Sequence, residues 1–147
     1  MHGVLEFAPR AQGSETRPAP ALGAVSGAVV VLLRLEGLTA LAAALAAYAH
    51  LGASWIVFAA LFLAPDLAMA GYFRGPRLGA LVYNLAHTYL APLALGAAGW
   101  ALGSAAAQAL ALVWIAHIGF DRALGFGLKY PTGFGHSHLG RFGRAAS

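Results

Sequence analysis

Two histidines and two aspartates stand out as side chains that can do chemistry together: Asp66, His87, His117 and Asp121. Two imidazoles and two carboxylates without a thiol make a donor set suited to Zn²⁺, Fe²⁺ or Mn²⁺, with positions left over for water. Water bound to such a metal becomes an accessible nucleophile. Glu36 is the candidate general base, and Arg34, Asn84, Arg122 and Lys129 supply donors for an anionic substrate group such as a phosphate. The candidate catalytic set is therefore Glu36, Asp66, His87, His117 and Asp121, the last four doubling as metal ligands. The chain has no cysteine, which excludes disulfides, thiolate catalysis and Cys-based metal centres.

Helical spacing groups these residues. His117 and Asp121 are four apart, as are Tyr83 and His87, while Asn84 and His87 are three apart, so each pair shares a helix face. No His-Glu-x-x-His pair, phosphate loop, dinucleotide fingerprint or serine elbow is present. His136 and His138 form a further His-x-His in a Gly-rich stretch, a pattern more often incidental than metal-binding.

The elements that must position these groups are membrane helices. Of 147 residues, 60% are hydrophobic and 10% charged, against roughly 25% charged in an average soluble domain. So little charge cannot cover a soluble surface of this size, and the lipid bilayer is the expected partner. Spanning a bilayer takes about 20 apolar residues, and four segments provide them: 24–50, 54–73, 78–102 and 105–128. Short connections predict an all-α, up-down four-helix transmembrane bundle, with abundant Ala and Gly allowing close backbone approach. Residues 1–22 read as a flexible tail, 23–128 as the transmembrane domain, and 129–147 as a Gly-rich basic tail, either solvated or folded back over the mouth of the bundle.

Basic residues set the expected orientation. Arg74 and Arg77 sit in the second connection and Lys129, Arg141 and Arg144 in the tail, whereas the connections around Gly52 and Gly103 hold neither Lys nor Arg. Both termini are thus expected in the cytoplasm, with the chain in the cell (inner) membrane. The net charge of +4 speaks for orientation and lipid contact, and no clustered patch suggests nucleic acid. Trp55, Trp100 and Trp114 read as membrane anchors or packing residues.

Charge deep in a membrane costs between about 2.5 and 17 kcal/mol, so its placement is informative. Arg34 and Glu36 on the first helix, Asp66 on the second, Asn84 and His87 on the third, and His117, Asp121 and Arg122 on the fourth all fall in the cytoplasmic half. The pattern predicts one shared site with a contribution from each helix. Pro65 predicts a bend that opens room beside Asp66.

Several separated motifs carry a resemblance: Arg-Leu-Glu at 34–36, Ala-Pro-Asp-Leu at 64–67, Tyr-Asn-Leu-Ala-His-Thr-Tyr at 83–89, Ala-His-Ile-Gly-Phe-Asp-Arg at 116–122 and Gly-Leu-Lys-Tyr-Pro-Thr-Gly-Phe at 127–134. Over roughly 34–141 the chain resembles an uncharacterised family of small bacterial four-helix membrane proteins, a domain of unknown function. That resemblance implies fold and membrane location and no activity. More distantly, Pro65-Asp66 with His87-Thr88 is similar to the Pro-Asp and His-Thr/Ser motifs of membrane-bound metal-dependent hydrolases; the additional histidine of that pattern is missing, with Tyr83 and Asn84 nearby instead.

Three readings follow. The cluster is a metal-dependent, hydrolase-like site. Alternatively it is a set of buried pairs, such as Arg34 with Asp66 or Glu36 and Arg122 with Asp121, that only hold the bundle together or bind a partner. In the third reading the chain is a small proton- or ion-linked carrier, which would require a homo-oligomer.

Overall fold

The opening apolar run winds into α1, Ala28–Leu51, which ends on Gly52 in the left-handed region at φ 66°. In this computed structural model residue 25 and residues 27–141 are described; the tail expected over 1–22, and Arg144, lie outside them. After α1 come α2 (Trp55–Leu61), a 3₁₀ helix (Ala64–Arg74), α3 (Pro76–Ala86), α4 (Leu90–Ala101) and α5 (Ala105–Leu124). A two-strand hairpin follows, β1 (His136–Ser137) and β2 (Gly140–Arg141), in which Ser137 pairs with Gly140. The architecture is all-helical apart from that hairpin, in four helical segments of which the middle two are interrupted.

Both interruptions trace to prolines. Pro65 lacks the N–H that would bond to the Leu61 carbonyl and its ring crowds that group; α2 accordingly stops at Leu61 and the chain continues as 3₁₀ helix. Pro92 does the same to Thr88, and α3 and α4 are separated at 87–89. The uninterrupted helix expected over 78–102 is thus two helices, with His87 at the junction. The freed carbonyls there are answered by α5: Trp114 Nε1 donates to Ala86 O at 2.6 Å and Arg122 Nη2 to His87 O at 3.2 Å. Broken helices persist at membrane depth when protein groups satisfy them in this way.

α5 is the central element. Gly37 of α1 faces Gly119 so closely that a Cβ on Gly37 would lie 2.4 Å from Arg122 Cβ and 2.9 Å from the Gly119 carbonyl oxygen. Gly99 brings α4 to the backbone of Gln108 in the same manner. A run of rings from Tyr48 through Phe58 and Phe62 to Phe120 packs α2 between α1 and α5. The close approaches of α1 and α4 to α5 are thus made at glycines, as membrane interfaces favour.

Among the described residues, three helical segments are long and apolar enough to cross a membrane: Ala28–Leu51, Trp55–Arg74 and Pro76–Ala101. α5, expected as a fourth, is long enough at 20 residues but falls short of that measure in hydropathy. Gln108, His117, Asp121 and Arg122 lower its hydropathy, and the other helices rather than lipid surround much of it, with Ala111, Ala116, His117 and Ile118 buried. The outer surface is correspondingly apolar: Ile56, Phe73, Leu90, Trp100 and Leu102 are each more than three-quarters exposed. That inverted distribution suits a lipid solvent.

The segment after α5 folds back over the bundle. Lys129 bridges Ser137, Tyr130 N donates to His136 O at 2.9 Å, and Val25 N donates to His138 O at 2.9 Å.

Candidate metal centre

His87 is oriented by its own helix. Its ring stacks on Tyr83, four residues earlier, with centroids 3.7 Å apart and planes within 10°. The Tyr83 carbonyl can only accept, so the Nδ1 atom at 2.9 Å carries the proton and donates it there. Nε2 is left as a bare lone pair, and it faces the acceptors Asp66 Oδ1 at 3.3 Å and Asp121 Oδ2 at 3.6 Å, with His117 Nε2 at 3.2 Å.

His117 lies one turn before Asp121 on α5. Its Nε2 is 3.5 Å from Asp66 Oδ1 and 3.9 Å from Asp121 Oδ2. The ring stands edge-on to Phe62 at 5.5 Å, and its Nδ1 is buried without a hydrogen-bond partner among the described residues. Asp121 is oriented by Tyr83, whose hydroxyl donates to Oδ2 at 3.2 Å.

One ligand atom from each of these four residues lies within 4.8 Å of the others. Donors about 2.0–2.2 Å from a tetrahedral zinc are about 3.3–3.6 Å from one another, and the five separations above, 3.2–3.9 Å, bracket that edge length. A proton on His117 Nε2 satisfies one of these contacts and leaves both carboxylates facing the same space. A divalent cation satisfies all of them.

The centre opens on its carboxylate side. The side chains of His87 and His117 are 3% and 1% exposed, against 36% for Asp66 and 15% for Asp121. A cavity of about 260 Å³ touches Asp66, Tyr83, Asp121, Lys129 and Phe134 but neither histidine. Lys129, 4% exposed, lays its ammonium 4.4 Å from the centre of the Phe134 ring and 5.3 Å from that of Tyr83. Burial pushes this ammonium below its ordinary pKa, and the Asp121 carboxylate works against the shift.

Of the expected residues, Asp66, His87, His117 and Asp121 come together. Asn84 does not reach the cavity: its amide clamps the Lys129 backbone, Nδ2 donating to the carbonyl at 2.9 Å and Oδ1 accepting from the N–H at 2.7 Å. Arg34 caps the end of α5 through Nε to Ala123 O at 2.8 Å, and Arg122 serves His87 O and Phe126 O. Glu36 is exposed on α1 and lies outside both the cluster and the cavity lining. Among the described residues the ion pairs are all between His and Asp, so the pairings of Arg34 with Asp66 or Glu36 and of Arg122 with Asp121 are not formed. In the tail, burial and the nearby Arg122 lower the pKa of His138, and its neutral Nδ1 accepts from Leu128 N at 2.9 Å. Tyr83 was not among the expected site residues; its spacing of four from His87 and one from Asn84 was the available signal.

The family model for Domain of unknown function (DUF4260) matches residues 30–142. No curated protein and no solved structure matches the chain.

Proposed function

This chain belongs to the DUF4260 family of unknown function, and from the geometry above we propose that it is a membrane-embedded hydrolase whose Asp66, His87, His117 and Asp121 hold one divalent metal. The observation that carries the reading is the convergence of four lone-pair donors, one of them fixed in that role by the Tyr83 carbonyl. Zinc suits the edge lengths and the nitrogen–oxygen donor set best, with Fe²⁺ and Mn²⁺ as the other candidates. The cavity supplies a fifth position on the carboxylate side, where water would enter and be acidified to a pKa of about 7. The half-open Asp66 is placed to take its proton through the oxygen that does not bind metal, and the Lys129 ammonium to balance charge growing on the attacked group.

In this reading α5 is the fourth crossing. The contacts of Gly37 with Gly119 and of Arg34 with Ala123 run antiparallel, in support of an up-down bundle. Both termini and the connection holding Arg74 and Arg77 then face the cytoplasm of the inner membrane, on the placement of Lys and Arg.

A structural metal pin is the second reading. It is favoured by the number of protein donors, since four already fill a tetrahedral shell, and by their placement on the 3₁₀ helix, the junction of α3 and α4, and α5. Metal analysis and a panel of chromogenic carboxylic and phosphoric esters separate the two. Hydrolysis that is lost on chelation, restored by Zn²⁺ and absent in a folded His117→Ala protein supports the hydrolase. Bound zinc without metal-dependent turnover supports the pin, and protein that binds no metal overturns both.

A further inference from the structure

The cluster has apolar space on one side and a charged cavity on the other, and α5 gives their order. Leu110, Val113 and Trp114 line an apolar groove of about 420 Å³ whose opposite wall is Leu61, Ala64 and Ala68. His117 follows Trp114 by three residues and Asp121 by seven. Past the helix end comes the cavity that holds Lys129. The 3₁₀ helix repeats the division, with Ala64 and Ala68 on the groove and Asp66 and Met69 on the cavity.

The polar compartment is lined by Lys129 and by the carboxylates of Asp66 and Asp121, and a divalent cation held by those carboxylates leaves a positive charge over. Lys129 is 96% buried by residue area, the complement of its 4% exposure, and among the described residues no carboxylate lies within ion-pair distance of its ammonium. Burying an unpaired charge is costly, and contact with the Phe134 and Tyr83 rings recovers only part of that cost. An anionic ligand group completes the site. The groove, in turn, offers apolar walls at membrane depth and suits an acyl chain.

Neither compartment selects a ligand alone; a molecule with an acyl chain at one end and an anion at the other fits both. We infer that the substrate is an anionic lipid, its chain in the groove, its ester at the metal and its anionic head group against Lys129. This rests on the hydrolytic reading of the metal centre. In the reaction, water gives its hydroxyl to the electrophilic centre of the ester and its proton to the departing oxygen. One ester and one water thus yield one acid and one alcohol.

The test is photolabelling of the zinc-loaded full chain in phosphatidylcholine nanodiscs, with a lysophosphatidate whose acyl chain carries a diazirine. Adducts are expected at Leu110, Val113 or Trp114. Excess unlabelled lysophosphatidate suppresses them and lysophosphatidylcholine does not. Ala68→Phe, which fills the groove, and Lys129→Gln each lower the yield about tenfold, the loss expected for a charge-assisted hydrogen bond in the second case, while both proteins retain zinc. If Ala68→Phe misfolds, Leu110→Trp blocks the opposite wall with the same expected loss. Adducts spread over the exposed α1 residues Leu32 and Leu35, or labelling indifferent to both groove variants, overturn the inference. Zinc binding without groove labelling sinks the lipid alone. Groove labelling on a chain that binds no metal sinks the metal centre and leaves a lipid site that needs another role.

Discussion

Tyr83→Phe isolates the hydrogen bond that orients Asp121. The substitution removes the hydroxyl that donates to Asp121 Oδ2 and keeps the ring stacked on His87 at 3.7 Å. Loss of a group that orients a metal ligand weakens metal binding by about 10- to 100-fold. At 3.2 Å the bond is longer than the 2.5–3.0 Å usual for O–H···O, which places the loss near the lower end. About tenfold is expected, or about 1.4 kcal/mol. The assay is competition for Zn²⁺ between detergent-solubilised protein and a chromophoric chelator at fixed pH. Tyr83→Ala, which also removes the stack, should lose more than Tyr83→Phe. An unchanged affinity in Tyr83→Phe, beside a large loss in His117→Ala, would refute the role given to the hydroxyl. Equal losses in Tyr83→Phe and Tyr83→Ala would refute the role given to the ring.

Gly37→Ala should lower stability by about 1–3 kcal/mol, because its Cβ meets Arg122 Cβ and backbone atoms of α5 that no rotamer change can clear; thermal unfolding in detergent reads this out, and an unchanged midpoint contradicts the close crossing. Asn84→Ala removes both bonds to the Lys129 backbone and should speed amide exchange at 128–138 while leaving zinc content intact, so loss of zinc with an unaltered tail would reverse the assignment. Zinc affinity should fall on acidification, as protons compete for the imidazoles. The direction follows from ligation, which needs both histidines neutral. A flat profile from pH 8 to 5 argues against imidazole ligands.

The membrane character was legible because charge is scarce enough to exclude a soluble surface. Asp66, His87, His117 and Asp121 were legible because each is expensive at its depth. Depth gives height along a helix and says nothing about direction around it, which is why Arg34 and Glu36 were expected at the same site. α1 turns Gly37 toward α5, and Glu36, one residue before it, points away. The effect of Pro65 was readable as a local bend, whereas the helix expected over 78–102 ran straight through Pro92. Its break places His87 at a junction whose carbonyls depend on Trp114 and Arg122, both distant in sequence. The tail was undecided for the same reason: what holds Lys129 over the cavity is Asn84, 45 residues earlier, a contact that no local periodicity encodes.

Whether the four side chains share one metal is read out by zinc stoichiometry joined to X-ray absorption at the zinc edge. One zinc per chain is expected, with a shell of nitrogen and oxygen donors at about 2.0–2.2 Å, lost in His117→Ala. A chain that carries no zinc after loading, or a shell unchanged by His117→Ala, would contradict the shared metal centre.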